Sequence, residues 1–141
     1  MGYRLYGFKI GREIHLHIKS RKLYRLPENN LIFTPIVFND TMMKLFLYLL
    51  INGRNNNISK DELIHNVWEK RNLSSSSQRL WQVLNNLGKK LSLIGLPSDF
   101  IIFKKGSGYT VNYEDVTPIY YRVSELPTRS VKKEEKTDTL R

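Results

Sequence analysis

The stretch SSSSQRLWQVLNNLGKKLSL, Ser74 to Leu93, reads as one amphipathic helix. At about 100° per residue, Leu80, Leu84, Leu87 and Leu91 fall within about 40° of the Leu80 direction, while Gln78, Gln82, Asn85 and Lys89 gather near 180°. One side is built to pack. The other carries three amides and a lysine, and no acidic residue occurs between Ser74 and Leu93. Ordinary solvated helix faces favour Glu and Lys pairs, so this composition suits a surface that meets anions. Amide side chains match the donor and acceptor groups of adenine in a major groove, and lysine reaches guanine or phosphate.

The flanking sequence gives this helix its setting. Downstream, Phe100 to Lys104 and Tyr109 to Tyr113 flank Gly106-Ser107-Gly108, the pattern of a hairpin over about 100–113 with Lys104 and Lys105 at its tip. Upstream, Ser59-Lys60-Asp61-Glu62 is a capping box ahead of Leu63, Ile64, Val67 and Trp68, and predicts a second helix over about 59–69. Before it, Asn39, Asp40 or Thr41 caps a helix over about 40–52 that is apolar almost all round and belongs in a core, with Asn52-Gly53 as its stop. The third helix runs over about 75–94, to Gly95-Leu96-Pro97. Tyr6 to Ile10, Ile14 to Ile18 and Lys22 to Leu26 predict a small antiparallel sheet within about 3–34, since Ile14, Leu16 and Ile18 alternate with His15, His17 and Lys19. The expected fold is α+β: a sheet, three helices and a hairpin in one domain over 1–113, followed by a polar, disordered tail or linker over 114–141.

Charge is concentrated in the predicted domain. Residues 1–112 hold 17 Lys and Arg against 7 Asp and Glu, whereas residues 113–141 hold 6 of each, so the net +10 of the 141-residue chain belongs to the first part. A basic folded domain attracts polyanions, of which nucleic acid is the commonest. Cysteine is absent, which excludes disulfides and thiolate metal sites and fits a reducing compartment. The longest apolar run, Leu45 to Ile51, falls far short of the roughly 20 residues that span a bilayer. His15 and His17 share a strand face with only His65 as a further imidazole, so no metal site is expected. No GxSxG, P-loop or Rossmann fingerprint occurs, and neither enzymatic activity nor a cofactor is expected.

Helix, capped helix, longer helix, basic hairpin is the order of a winged helix-turn-helix. Ser59 to Ile64 with Val67 and Trp68, then Ser76, Leu80, Leu84, Leu87 and Leu91, then Gly106-Ser107-Gly108-Tyr109 resemble the OmpR/PhoB-type DNA-binding domain over residues 5–113. Gln82, Leu84 and the Leu87-to-Leu91 ending are most similar to the ToxR and CadC group. The resemblance implies a bacterial transcriptional regulator with its third helix in the major groove of double-stranded promoter DNA. It implies a wing on the backbone or minor groove, and binding as a dimer or tandem pair. It also implies that Glu69, Lys70, Arg71 and Asn72, between the second and third helices, contact RNA polymerase. ToxR-like relatives continue into a membrane anchor and sensor. Residues 114–141 are then either a shortened membrane linker or the end of a small regulator, with the DNA-binding part cytoplasmic. Two positions depart from the family pattern. Gly88 replaces a usual Arg or Lys and allows a bend. Trp81, where relatives have a small or polar residue, lies at the seam's edge and is expected to pack.

Base reading is therefore expected from Gln78, Gln82, Asn85 and Lys89. Backbone contacts are expected from Ser75, Ser76 and Arg79 at the helix N-terminus and from Lys104, Lys105 and Ser107 on the wing. The plain alternatives are a solvated helix face, simple capping by one of the serines, and a lysine-tipped hairpin that discourages strand addition. Two other function classes compete. One is a winged-helix module that binds protein. The other is single-strand binding by Tyr3, Tyr6 and Phe8 among Arg4 and Lys9, although those aromatics read more simply as strand core.

Overall fold

Alternation along the first third of the chain produces the sheet it predicts. The computed structural model describes residues 2–27, 29, 33–69 and 76–123. In it, β1 (Gly2–Ile10), β2 (Ile14–His17) and β3 (Lys22–Arg25) form consecutive antiparallel hairpins, and a short β4 (Ile36–Val37) adds to β3. Phe8, Ile10, Ile14, Leu16 and Leu23 are buried, while His15 and His17 lie on the opposite face against Tyr24 and Tyr6. Burial and the nearby Lys9 ammonium lower the His15 pKa.

The far edge of this sheet corrects the expected polar tail from residue 114. Val116–Val123 forms a strand, numbered β7 in chain order, that pairs antiparallel with nearly the whole of β1, giving the order β4-β3-β2-β1-β7. Pro118 interrupts the local strand pattern, but an edge strand tolerates a missing N–H. The domain thus reaches Val123, and residues 124–141 lie outside the described residues. Opposite β7, the register of β1 shifts between Leu5 and Gly7. The β1–β7 ribbon carries Tyr3 (70 % exposed) and Tyr6 (42 % exposed) at the surface, so of the three N-terminal aromatics only Phe8 is core.

Three helices follow. α1 (Asp40–Asn52) starts at Asn39, whose Oδ1 accepts the Met42 N–H at 2.8 Å. It buries Met42, Met43, Leu45, Phe46, Leu49 and Leu50, an almost continuous apolar girth. α2 (Lys60–Val67) is capped by Ser59, whose Oγ accepts the Glu62 N–H at 3.0 Å, and ends two residues before the expected limit. The Glu62 carboxylate accepts the Tyr48 hydroxyl at 2.5 Å, tying α2 to α1, and this bond is the main reason the Tyr48 pKa is pushed up to about 12. α3 (Ser77–Leu93) is capped by Ser76, and the hairpin β5 (Ile101–Lys104) and β6 (Gly108–Val111) completes the domain. Rings of Phe38, Phe46, Phe100 and Tyr113 meet in sequence, the first two pairs edge to face and the last tilted, with centroids 5.2 to 6.2 Å apart.

The end of α3 is locked. Gly95, at φ +99°, takes the left-handed position, its N–H donates to Ser92 O, and the Leu96 N–H donates to Leu91 O, a Schellman closure. Arg25 of β3 donates from Nη1 to Ile94 O at 3.0 Å and from Nε to Glu13 at 2.8 Å, joining the sheet to the helix terminus. A side chain at Gly95 would strike that guanidinium.

α3 is helical straight through Gly88, and a Cβ built there meets nothing within 4 Å. Gly88→Ala is therefore expected to stabilise the domain by about 1 kcal/mol, read from the urea midpoint. A destabilised variant would show that the helix needs glycine there.

Candidate nucleic-acid interface

The apolar edge of α3 sets which side chains are thrown outward. Leu80, Leu87 and Leu91 are buried, and Val83 and Leu84 pack half-buried at the two rims of that edge. Gln78, Gln82, Asn85 and Lys89 are all exposed, on the side opposite the leucines as the sequence predicts. Among the described residues these four side chains have no hydrogen-bond or ion-pair partner. The row from Gln78 to Lys89 covers about 16 Å of helix axis, roughly five base-pair steps.

At the N-terminus, Ser76 Oγ accepts the Arg79 N–H at 3.1 Å, so this serine is a cap. Arg79 is exposed beside it, while Ser75 lies outside the described residues. So do Lys70, Arg71 and Asn72 of the expected polymerase-contacting link. Glu69 is exposed, with Oε1 3.3 Å from His65 Nδ1.

Trp81 departs from expectation. It does not pack; it is 63 % exposed. Val83 also joins the core, which turns the centre of the buried edge away from Trp81 and leaves the indole on the rim of the polar face. The signal was present in the sequence, because at about 100° from Leu80 the indole lies nearer to Asn85 than to any buried leucine. On the same face Gly88 leaves a shallow depression lined by Leu84, Asn85, Lys89, Ser92 and Leu93. The basic side chain that the resemblance leads one to expect here is replaced by open space.

The wing is held from behind. Ile58, just before α2, exchanges two backbone hydrogen bonds with Tyr109 at 2.7 and 2.8 Å, and the Val111 N–H and Thr110 Oγ1 both donate to Gly53 O, at 2.8 and 2.6 Å. Gly108, at φ +114°, passes so close to Ile58 O that a Cβ would collide with it. The hairpin is therefore anchored to the α1–α2 connection. Its tip is free. Lys104, Lys105 and Ser107 are exposed, and the Ser107 N–H closes the turn on Lys104 O at 2.9 Å. Phe103, 57 % exposed, leans on Tyr109 with ring centroids 4.8 Å apart. Burial raises the Tyr109 pKa.

Among the described residues no group of three or more His, Asp or Glu side chains converges in a way that could hold a metal ion. Nor is any described helix long and apolar enough to cross a membrane.

The chain is similar to solved DNA-binding domains. With the DNA-binding domain of E. coli CadC it shares 20% identity at a TM-score of 0.64, over 85% of this chain and 100% of that one. The C-terminal domain of the nisin resistance regulator NsrR, a lantibiotic response regulator, gives 23% identity and a TM-score of 0.52 over 74% of this chain and 91% of that one. The DNA-binding domain of the response regulator AdeR, solved in complex with an intercistronic region, gives 16% and 0.56 over 75% of this chain and 100% of that one. No family model and no curated protein matches the chain. At these identities the likeness is one of fold, and the fold is the winged helix-turn-helix with an N-terminal sheet that the sequence motifs predict.

Proposed function

We propose that this chain is a sequence-specific, duplex-DNA-binding transcriptional regulator of the OmpR/PhoB type, similar in kind to the ToxR and CadC group. The observation that carries the reading is the outward face of α3: three amides and a lysine without partners among the described residues and no acidic residue, on a domain that to Val123 holds +9 of the chain's net +10. An α-helix fits a major groove about 12 Å wide, and Gln78, Gln82, Asn85 and Lys89 supply the groups that read base edges there. Ser76 and Arg79, with Ser75 before them, meet the phosphate backbone at the helix N-terminus. Lys104, Lys105 and Ser107 bring the wing to the neighbouring backbone or minor groove. The similar domains are DNA-binding domains, and one was solved on DNA, which supports the same use of the fold here.

In this reading the protein acts at promoters as a dimer or tandem pair in the cytoplasm. Glu69 to Asn72 face RNA polymerase, and a membrane anchor or sensor is a further partner. A second reading rests on the exposure of Tyr3 and Tyr6, which could stack unpaired bases beside Arg4. The two readings predict opposite strand preferences.

Selection from a random duplex library at about 150 mM salt is expected to enrich a defined motif, with duplex preferred over either single strand. Absence of enrichment would favour a protein-binding module, and a single-strand preference would favour stacking. Gln82→Ala and Asn85→Ala should each relax selectivity at one base pair and cost about 1 to 3 kcal/mol on the enriched site. Unchanged selection profiles for both would remove them from the reading face. Replacing Lys104 and Lys105 together by Ala should weaken all sequences alike and lower the salt slope by about 2. An unaltered slope would place the wing off the DNA.

A further inference from the structure

We infer that Trp81 is a specificity-determining residue that reads the C5-methyl groups of thymine through the apolar edge of its indole. The inference rests on the duplex-facing role of α3 proposed above and assigns to that face an apolar reader that its amides cannot replace. Tryptophan is ordinarily well buried, and Trp68 in the same fold is only 2 % exposed. Trp81 is left 63 % exposed, and no aromatic or hydrogen-bond partner holds it among the described residues.

Its place on the helix explains what the exposure serves. Trp81 sits in the second turn of α3, the end that meets base edges in helix-turn-helix proteins, with Gln78 at i−3 and Asn85 at i+4 as its surface neighbours. Gly88, at i+7, presents no side chain beside it and borders the depression on that face. Every other exposed residue of α3 as far as Ser92 is polar or glycine, and the exposed Leu93 stands at the far end of the helix, so Trp81 is the apolar side chain exposed in the N-terminal half of α3. In the major groove the only apolar feature of the base edges is the thymine methyl. The two amides are suited to adenine and the indole to thymine, so the combination favours A·T pairs at adjacent steps. The indole N–H, a donor only, is left for a phosphate or a base acceptor.

The test uses the full chain and the duplex that it enriches from a random library, with deoxyuridine placed at one thymidine position at a time. This change removes a methyl group and nothing else. For the wild type, at least one replacement in the motif should weaken binding about fourfold, the effect of one methyl-sized apolar contact. Trp81→Ala should bind the unmodified duplex more weakly by at least that factor and be indifferent to the same replacement. Trp81→Phe should restore part of the discrimination. Because Trp68 is buried, acrylamide quenching of the native protein reports mainly on Trp81, and saturating duplex should reduce it at least twofold. Equal thymidine-to-deoxyuridine profiles for wild type and Trp81→Ala, or quenching unchanged by duplex, would overturn the assignment while leaving the duplex-binding reading intact. If the wild type enriches no duplex at all, both fall.

Discussion

The rotation of α3 about its own axis governs everything the surface can do. Leu80, Leu87 and Leu91 are buried on one edge, and that burial, together with the half-buried Val83 and Leu84, decides which residues face outward. Fully burying a side chain of this size contributes about 1.5 to 3 kcal/mol relative to exposure, so three of them outweigh any rotation that would hide an amide. Arg25 and the closure at Gly95 then fix the axial position of the helix end against the sheet. The outward face is thus a product of packing on the inward one.

The wing depends on the same economy of placement. Its second strand, β6, is tied to Gly53 and Ile58, the two ends of the α1–α2 connection, and α1 and α2 are both helices against which α3 packs. A hairpin supported at its base can expose two lysines at its tip without loss of register. The apolar pair Phe103 and Tyr109 stiffens the stem just below them. Basic charge therefore stands on rigid supports at both the helix and the hairpin.

Most of this was legible in the sequence because local chemistry and burial agree there. Asn39, Ser59 and Ser76 cap the helices in the structure as their residue types and spacing suggest, and the glycines at 106 and 108 turn the hairpin. β7 was hidden for a non-local reason. Its partner lies more than 100 residues earlier in the chain, and Glu114, Asp115 and Pro118 give its neighbourhood the look of a linker. The exposure of Trp81 is legible from its angle but not from its residue type, since an aromatic at a seam edge reads as core unless Val83 shares the seam. Tyr3 and Tyr6 are exposed for reasons that strand alternation does not show: where a register shift falls and where the helices stop covering the sheet. The roles of the outward side chains of α3 lie beyond what packing dictates, because among the described residues no hydrogen bond or ion pair constrains Gln78, Gln82, Asn85 or Lys89.

In the proposed function, the outward face of α3 and the tip of the wing are the surface that meets duplex DNA. Backbone amide chemical shifts, recorded while the full chain is titrated with the duplex it enriches, test this directly. The predicted result is that the largest changes fall on residues 76–93 and 104–107, with β1, β2 and β3 little affected. Changes centred instead on Tyr3, Tyr6 and the β1–β7 ribbon, with α3 unmoved, would contradict it.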